Sequence, residues 1–271
     1  MKLRIKYEKT GVLRFIGHLD VMRYFQKAIR RAKLDVAYSK GFSPHQIISF
    51  AAPMPLGMTS SGEYFDGEFE SVTSAPDMIK RLNAVMAEGI RVLDITQLPD
   101  NAKPSMAVVS ASDYFIYKND ESGNDYIDRL TASIDTLMSK DGINVLKKTK
   151  TKEEICDIQP YIYELKGFEY DMADEFPNGE ADKEDEFLNG DADTEPLSDK
   201  KQGNGAKKKK GIYMLLASGS RMNLKPDLVM DALAEHAGIK YCPYDYRVHR
   251  IETYMGGEGA FVPLFTAGDK F

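Results

Sequence analysis

Cysteine is scarce in this sequence, and its scarcity narrows the chemistry. Cys156 and Cys242 are the only two, and they lie far apart. There is no CxxC pair to hold zinc and no disulfide framework, which fits a reducing compartment. Long apolar runs are missing too. None approaches the roughly 18 residues that a membrane span needs. The N-terminal "MKLRIKYEK" alternates charged and apolar residues and has no signal-peptide h-region. A cytoplasmic location with no membrane partner is expected. The sequence contains no GxGxxG, no P-loop and no GxSxG. Its four histidines form neither HxH nor HExxH, so no metal site is expected.

What is present describes a globular chain of one or two domains. The 271 residues are 42% hydrophobic and 29% charged. The net charge of −6 is unevenly spread. Residues 1–50 carry 11 Lys/Arg against 3 Asp/Glu. Residues 169–210 carry 13 acidic and 7 basic residues, which accounts for the whole net charge. That segment is acidic, then Gly/Asn-rich, then basic, and it has no sustained apolar period. A disordered insertion at about 170–210 is expected, joining two strands of one sheet.

Outside the insertion, periodicity gives a regular order. Residues 2–8 alternate as a strand. Residues 18–33 place His18, Met22, Phe25, Ile29 and Ala32 on one helical face. Strands at 46–52 and 63–70 follow, then a helix at 76–88 opened by Pro76-Asp77, then a strand at 90–97. The second half reads similarly. A strand at 107–118 precedes a helix at 124–139, strands at 143–149, 158–168 and 211–218, a helix at 226–237 opened by Pro226-Asp227, and a strand at 244–252. The expectation is an α+β protein of two tandem ferredoxin-like (βαββαβ) units with antiparallel sheets. The N-terminal unit would span 1–103 and the C-terminal unit 104–271.

Several side-chain groups could carry function. Arg23, Lys27, Arg30 and Arg31 form a basic stripe on the first helix, which Arg14 and Lys40 could extend. Such a stripe can follow a phosphate backbone, with Tyr24 and Tyr38 near enough in sequence to stack on bases. A solvated helix face is the plainer alternative. His18 begins the helix, and His45 sits in "GFSPHQIISFAAPMPLG", whose prolines fix the loops around an apolar strand. The two histidines flank one strand–helix–strand layer. Facing one cleft with Glu63 and Asp66, they would be candidate catalytic residues for acid/base chemistry. In "YRVHRIE", Arg247 and His249 share one strand face and Arg250 the other, as an edge strand or partner-facing surface would.

The strings "GVLRFIGHLDVMRYFQKAIRRA", "YSKGFSPHQIISFAAPMPLG", "EYFDGEF", "NLKPDLVMDAL" and "YRVHRIETY" resemble the radical SAM-linked protein family, a domain family of unknown function. The resemblance spans essentially the whole chain except 170–210. In that family the domain is fused behind a radical SAM domain or encoded beside one, often near a ribonuclease G-type enzyme and ribosomal proteins. The resemblance implies a radical SAM enzyme as partner and supplies no catalytic residue. Two distant cysteines cannot hold a [4Fe–4S] cluster, so the partner would carry cluster and S-adenosylmethionine. The tandem architecture also looks like that of CRISPR repeat-processing endoribonucleases, although "GGEG" at 256–259 matches their Gly-rich loop poorly.

The expected function is an accessory or substrate-positioning binding protein for a separate radical SAM enzyme, with RNA as a possible ligand and no cofactor in this chain. The RNA or partner contacts would be Arg14, Arg23, Lys27, Arg30, Arg31, Lys40, His45, Arg247, His249 and Arg250. One alternative is an RNA-processing or RNA-modifying enzyme using His18 and His45. Another is a purely structural partner.

Overall fold

The computed structural model describes residues 1–118, 124–148, 153–171, 208–219, 222–257 and 259–271. The interior of the acidic insertion, 172–207, lies outside the described residues, and so does the disorder expected of it.

The first half runs β1 (Lys2–Lys9), α1 (His18–Arg31), β2 (Ile48–Phe50), β3 (Thr59–Glu68), α2 (Ala75–Asn83) and β4 (Ile90–Leu98). The short α3 (Ser105–Val108) leads into β5 (Val109–Lys118). The second half continues with α4 (Asn124–Ala132), α5 (Ile134–Met138), β6 (Asn144–Lys148), β7 (Glu153–Asp157), β8 (Ile162–Asp171), β9 (Lys208–Ala217), α6 (Pro226–His236), β10 (Tyr246–Met255) and β11 (Val262–Pro263).

The result is a mixed α+β fold with one large, mostly antiparallel sheet. Among the described residues, nine strands form that sheet around the path β4-β1-β3-β10-β5-β9-β8, with β2 on β3 and β11 on β10. Two separate antiparallel sheets are not found, because β3 and β10 join the halves. Their pairing is parallel and short: His249 opposite Thr59, and Arg250 opposite Ser60. One edge of β3 is therefore shared, since β2 takes its other end at Phe65–Gly67.

The alternation read in β1 sets the layers. Leu3, Ile5 and Tyr7 face α1 and α2 and are buried with Phe25, Ile29, Phe65, Met78 and Leu82. Arg4, between them, faces the other side and pairs with Asp66. In the second half Tyr114, Ile116, Ile212 and Met214 pack under α4, α5 and α6. α1 ends at Arg31 with Ala32 as its cap, and Lys33 enters the left-handed region with φ 54°. The Arg81 guanidinium donates to the freed carbonyls of Ala32 and Lys33, closing the helix end.

Three expectations change. The helix expected over 124–139 breaks into α4 and α5 at Ser133, whose hydroxyl donates to the Arg129 carbonyl at 3.0 Å. The strand near 143–149 pairs with β7 as a separate hairpin rather than with the strand near 158–168. β8 pairs instead with β9, Asp171 opposite Lys208, so the insertion joins two strands of one sheet as expected. β10 is a central strand, not an edge.

Gly62 explains how β3 and β10 come together. A Cβ there would lie 2.3 Å from Glu252 Cα and 2.7 Å from the Ile251 carbonyl oxygen. Only glycine allows this approach without moving backbone. Gly62→Ala is expected to destabilise the fold by more than about 2 kcal/mol. Gly257→Ala, where an added Cβ meets nothing within 4 Å, should be neutral. Urea unfolding of the two variants makes the comparison.

Candidate functional site

The exposed cations begin on α1. Val21, Phe25, Ala28 and Ile29 take the buried side, which turns Arg23, Lys27 and Arg30 to solvent. Arg23 meets Asp20 at 3.4 Å with both side chains well exposed. Such a surface pair contributes little and leaves the guanidinium accessible. Arg31 is turned away from this row, because its Nη2 donates to the Val85 carbonyl at 2.9 Å. Tyr24 is half-buried against Phe25 and its hydroxyl accepts from the Ala87 amide, so it is no stacking platform. Arg14 is buried, with its guanidinium over the Phe15 ring at 4.6 Å. It does not extend the stripe.

The loop after α1 carries the next exposed basic residues. Tyr38 and Gln46 form an isolated β-bridge, and the Ser39 amide donates to the His45 carbonyl at 2.8 Å. The Ser39 hydroxyl also meets His45 Nδ1 at 2.8 Å. Gln46 Nε2 donates to the Gln26 carbonyl, which ties the loop base to the Lys27–Arg30 side of α1. Lys40 and His45 are exposed on this stapled loop.

His18 and His45 do not share a cleft. His18 packs edge-on against Phe50 and lines a hollow with Tyr7, Lys9, Met54 and Glu63 on the helix side of the sheet. That hollow holds about 10 Å³, the lower limit for one water. Burial lowers the His18 pKa, the Glu63 carboxylate opposes that shift, and Lys9 adds to it. His45 lines a groove of about 300 Å³ with Lys2, Ile48, Asp66, Leu98 and Met106 on the opposite side. β3 itself separates them, since Glu63 and Asp66 project to opposite faces. The acid/base pair expected of these histidines is therefore not assembled.

The charges of β10 are internal. Arg250 is 3% exposed, and its Nη1 donates to Glu63 at 2.9 Å. His249 is fully buried, with its ring nitrogens 2.9 Å from Thr59 Oγ1 and 3.0 Å from Ser61 Oγ. Neither is available to a partner. Arg247, at the start of the strand, is half-buried. A bulge after Arg250 lets Ile251 and Glu252 both face away from the helices. Glu252 there accepts from Lys6 at 2.6 Å and from Tyr64 at 2.7 Å. Among the described residues, no three His, Cys, Asp or Glu side chains are grouped to hold a metal.

Two features of the structure carry no periodic signal in the sequence. One is Phe42, which is fully exposed at the tip of the stapled loop. The other is Asp113 on the face opposite the helices. It accepts from the Glu252 amide at 2.7 Å, from Tyr254 at 2.9 Å and from Tyr213 at 3.2 Å. Burial pushes its carboxyl up to about 6, with the hydrogen bonds opposing the shift and the Glu252 charge adding to it. A raised carboxyl pKa means that the folded protein holds a proton the unfolded chain has lost. Stability is thereby reduced as pH rises from about 4 through about 6. Relative to Asp113→Asn, the wild type should lose about 2–3 kcal/mol across that window. Paired urea melts at pH 4, 5, 6 and 7 measure the difference.

Among the described residues, no helix is long and apolar enough to cross a membrane. No curated protein matches the chain. A family model matches residues 2–226, from β1 to the first residue of α6. This range takes in the basic helix, the stapled loop and both sides of the insertion. The chain belongs to the family described as uncharacterized protein conserved in bacteria (DUF2344).

Proposed function

We propose that the protein is a binding module that positions RNA for a separate radical SAM enzyme and has no catalytic centre of its own. One observation carries the RNA part of this reading: Arg23, Lys27 and Arg30 stand on the exposed side of α1, and a loop tied to that helix through Gln46 exposes Lys40. Phosphates spaced along a strand could meet these cations in succession. The partner rests on the resemblance of the sequence strings to radical SAM-linked proteins. The separation of His18 from His45 favours binding over catalysis.

On this reading the architecture is two ferredoxin-like units in tandem, 1–103 and 104–271, acting in the cytoplasm. The strand orders support it. β4-β1-β3-β2 in the first half and β10-β5-β9-β8 in the second follow one pattern. The partner would hold the [4Fe–4S] cluster and S-adenosylmethionine. Cys156 lies on β7 and Cys242 precedes the turn at Pro243–Asp245. Anaerobic reconstitution of the protein alone is expected to give no stoichiometric iron and sulfide. A cluster that needed both cysteines would refute this assignment.

The main test is a salt titration of binding to a fluorescent structured RNA. Each phosphate contact gives log affinity a slope against log salt of roughly 0.9 on duplex and 0.7 on single strands. Replacing Arg23, Lys27 and Arg30 by Gln should weaken binding and flatten the slope by roughly two to three units. Helix propensity barely changes, so the melting temperature should hold. Equal slopes would make the row a solvated helix face.

A further inference from the structure

We propose that the loop from Tyr38 to Gln46 is a base-stacking finger, and that the RNA it takes is single-stranded at that point. This rests on the RNA-binding reading above and adds the substrate class and the residue that recognises it.

Phe42 is as exposed as a side chain in an extended peptide, at 111% of its reference area. A phenylalanine ring left in water on a flexible tip would be an ordinary surface residue. This tip is held. Three hydrogen bonds between Ser39 and His45 close the loop, the Tyr38–Gln46 bridge continues the closure, and Gln46 anchors it to α1. Gly41 turns the chain with φ 121°, a conformation that side chains rarely adopt, and Pro44 restricts the return. The backbone at the tip is set in advance, so the ordering cost on contact falls mainly on the Phe42 side chain itself.

The surroundings of the ring decide what it meets. An anchor for an apolar protein pocket is ordinarily ringed by further apolar contacts. Here its neighbours along the loop are Lys40, Gly41, Ser43, Pro44 and the exposed His45. Further exposed cations, Arg23, Lys27 and Arg30, lie on α1, the helix to which Gln46 ties the base of the loop. Two exposed aromatics on one loop, Phe42 and Tyr38, with the exposed cation Lys40 between them, match an unpaired nucleotide, whose base has a π-face and whose flanking phosphates are negative. Bases within a duplex are already stacked and do not offer that face.

The test uses the full chain and one RNA sequence of about 12 nucleotides, as a single strand and as a duplex, at matched salt. Wild type should prefer the single strand. Phe42→Ala should weaken single-strand binding roughly 5- to 150-fold, the range for losing one base–aromatic stack, and leave the salt slope unchanged. Phe42→Trp should restore affinity. The chain has no native tryptophan, so this variant carries a single reporter whose emission should be quenched by a stacked base. Phe42 touches no core, so both variants should fold as wild type. If Phe42→Ala binds like wild type while the α1 variant flattens the slope, the stacking inference fails and the RNA reading stands. Unquenched tryptophan emission from the Phe42→Trp variant in a bound complex also overturns the inference. If wild type binds neither RNA, both readings fall. Selective loss of a protein partner from Phe42→Ala, with RNA binding intact, would reassign the ring to a protein contact.

Discussion

The fold depends on a joint that its backbone makes poorly. β3 and β10 share only two paired positions, in a parallel arrangement, and two strands cannot be held by so short a ladder. Side chains complete the joint on both faces of the sheet. On the helix side Arg250 meets Glu63, both 4% exposed by side chain. On the other side Glu252 draws Lys6 and Tyr64 across from β1 and β3. Removing a charge from water costs several kcal/mol, so such pairs add modest net stability, but an unpaired member would be very costly. Their effect is on specificity. A shift in β10 register would leave buried charges facing apolar neighbours. Gly62 supplies the space that lets both sets of contacts close.

This joint also marks where the sequence stops being readable. Helix starts at Pro76-Asp77 and Pro226-Asp227, the alternation of β1 and the apolar side of α1 are local signals, and each is found where the pattern puts it. β10 carries charge on both faces, which reads as exposure. Its partners lie 187 and 246 residues away, and no local window contains them. The histidines part company for a related reason. They are neighbours along the chain, but the side of the sheet each one faces depends on which strands lie between them. Phe42 gives no signal because one aromatic in a Gly/Pro loop has no period, and only its exposure distinguishes it.

The basic row is legible in part. Spacing alone places Arg23, Lys27, Arg30 and Arg31 together, and the first three are so disposed. Arg31 leaves the row because a long cation near a helix end finds backbone carbonyls, here that of Val85. Arg14 leaves it because its short helical turn folds back on the core. A charge stripe predicted from spacing thus overcounts at its ends, where helix geometry gives way to tertiary contacts.

Arg4 has a consequence for how the molecule is made. Its side chain is 1% exposed and reaches Asp66, the Lys103 carbonyl and the Leu264 carbonyl. Asp269 pairs with Gln97 on β4, and the Phe271 carbonyl accepts from the first turn of α2. Arg4 therefore waits on the ribosome for a carbonyl that lies 260 residues further along the chain. The N-terminal half cannot reach its final packing until residues 264–271 are made, although its two long helices and four strands are synthesised well before. Its assembly is a closing of the chain on itself, with the loop-closure cost and slow approach that contacts of such sequence separation impose.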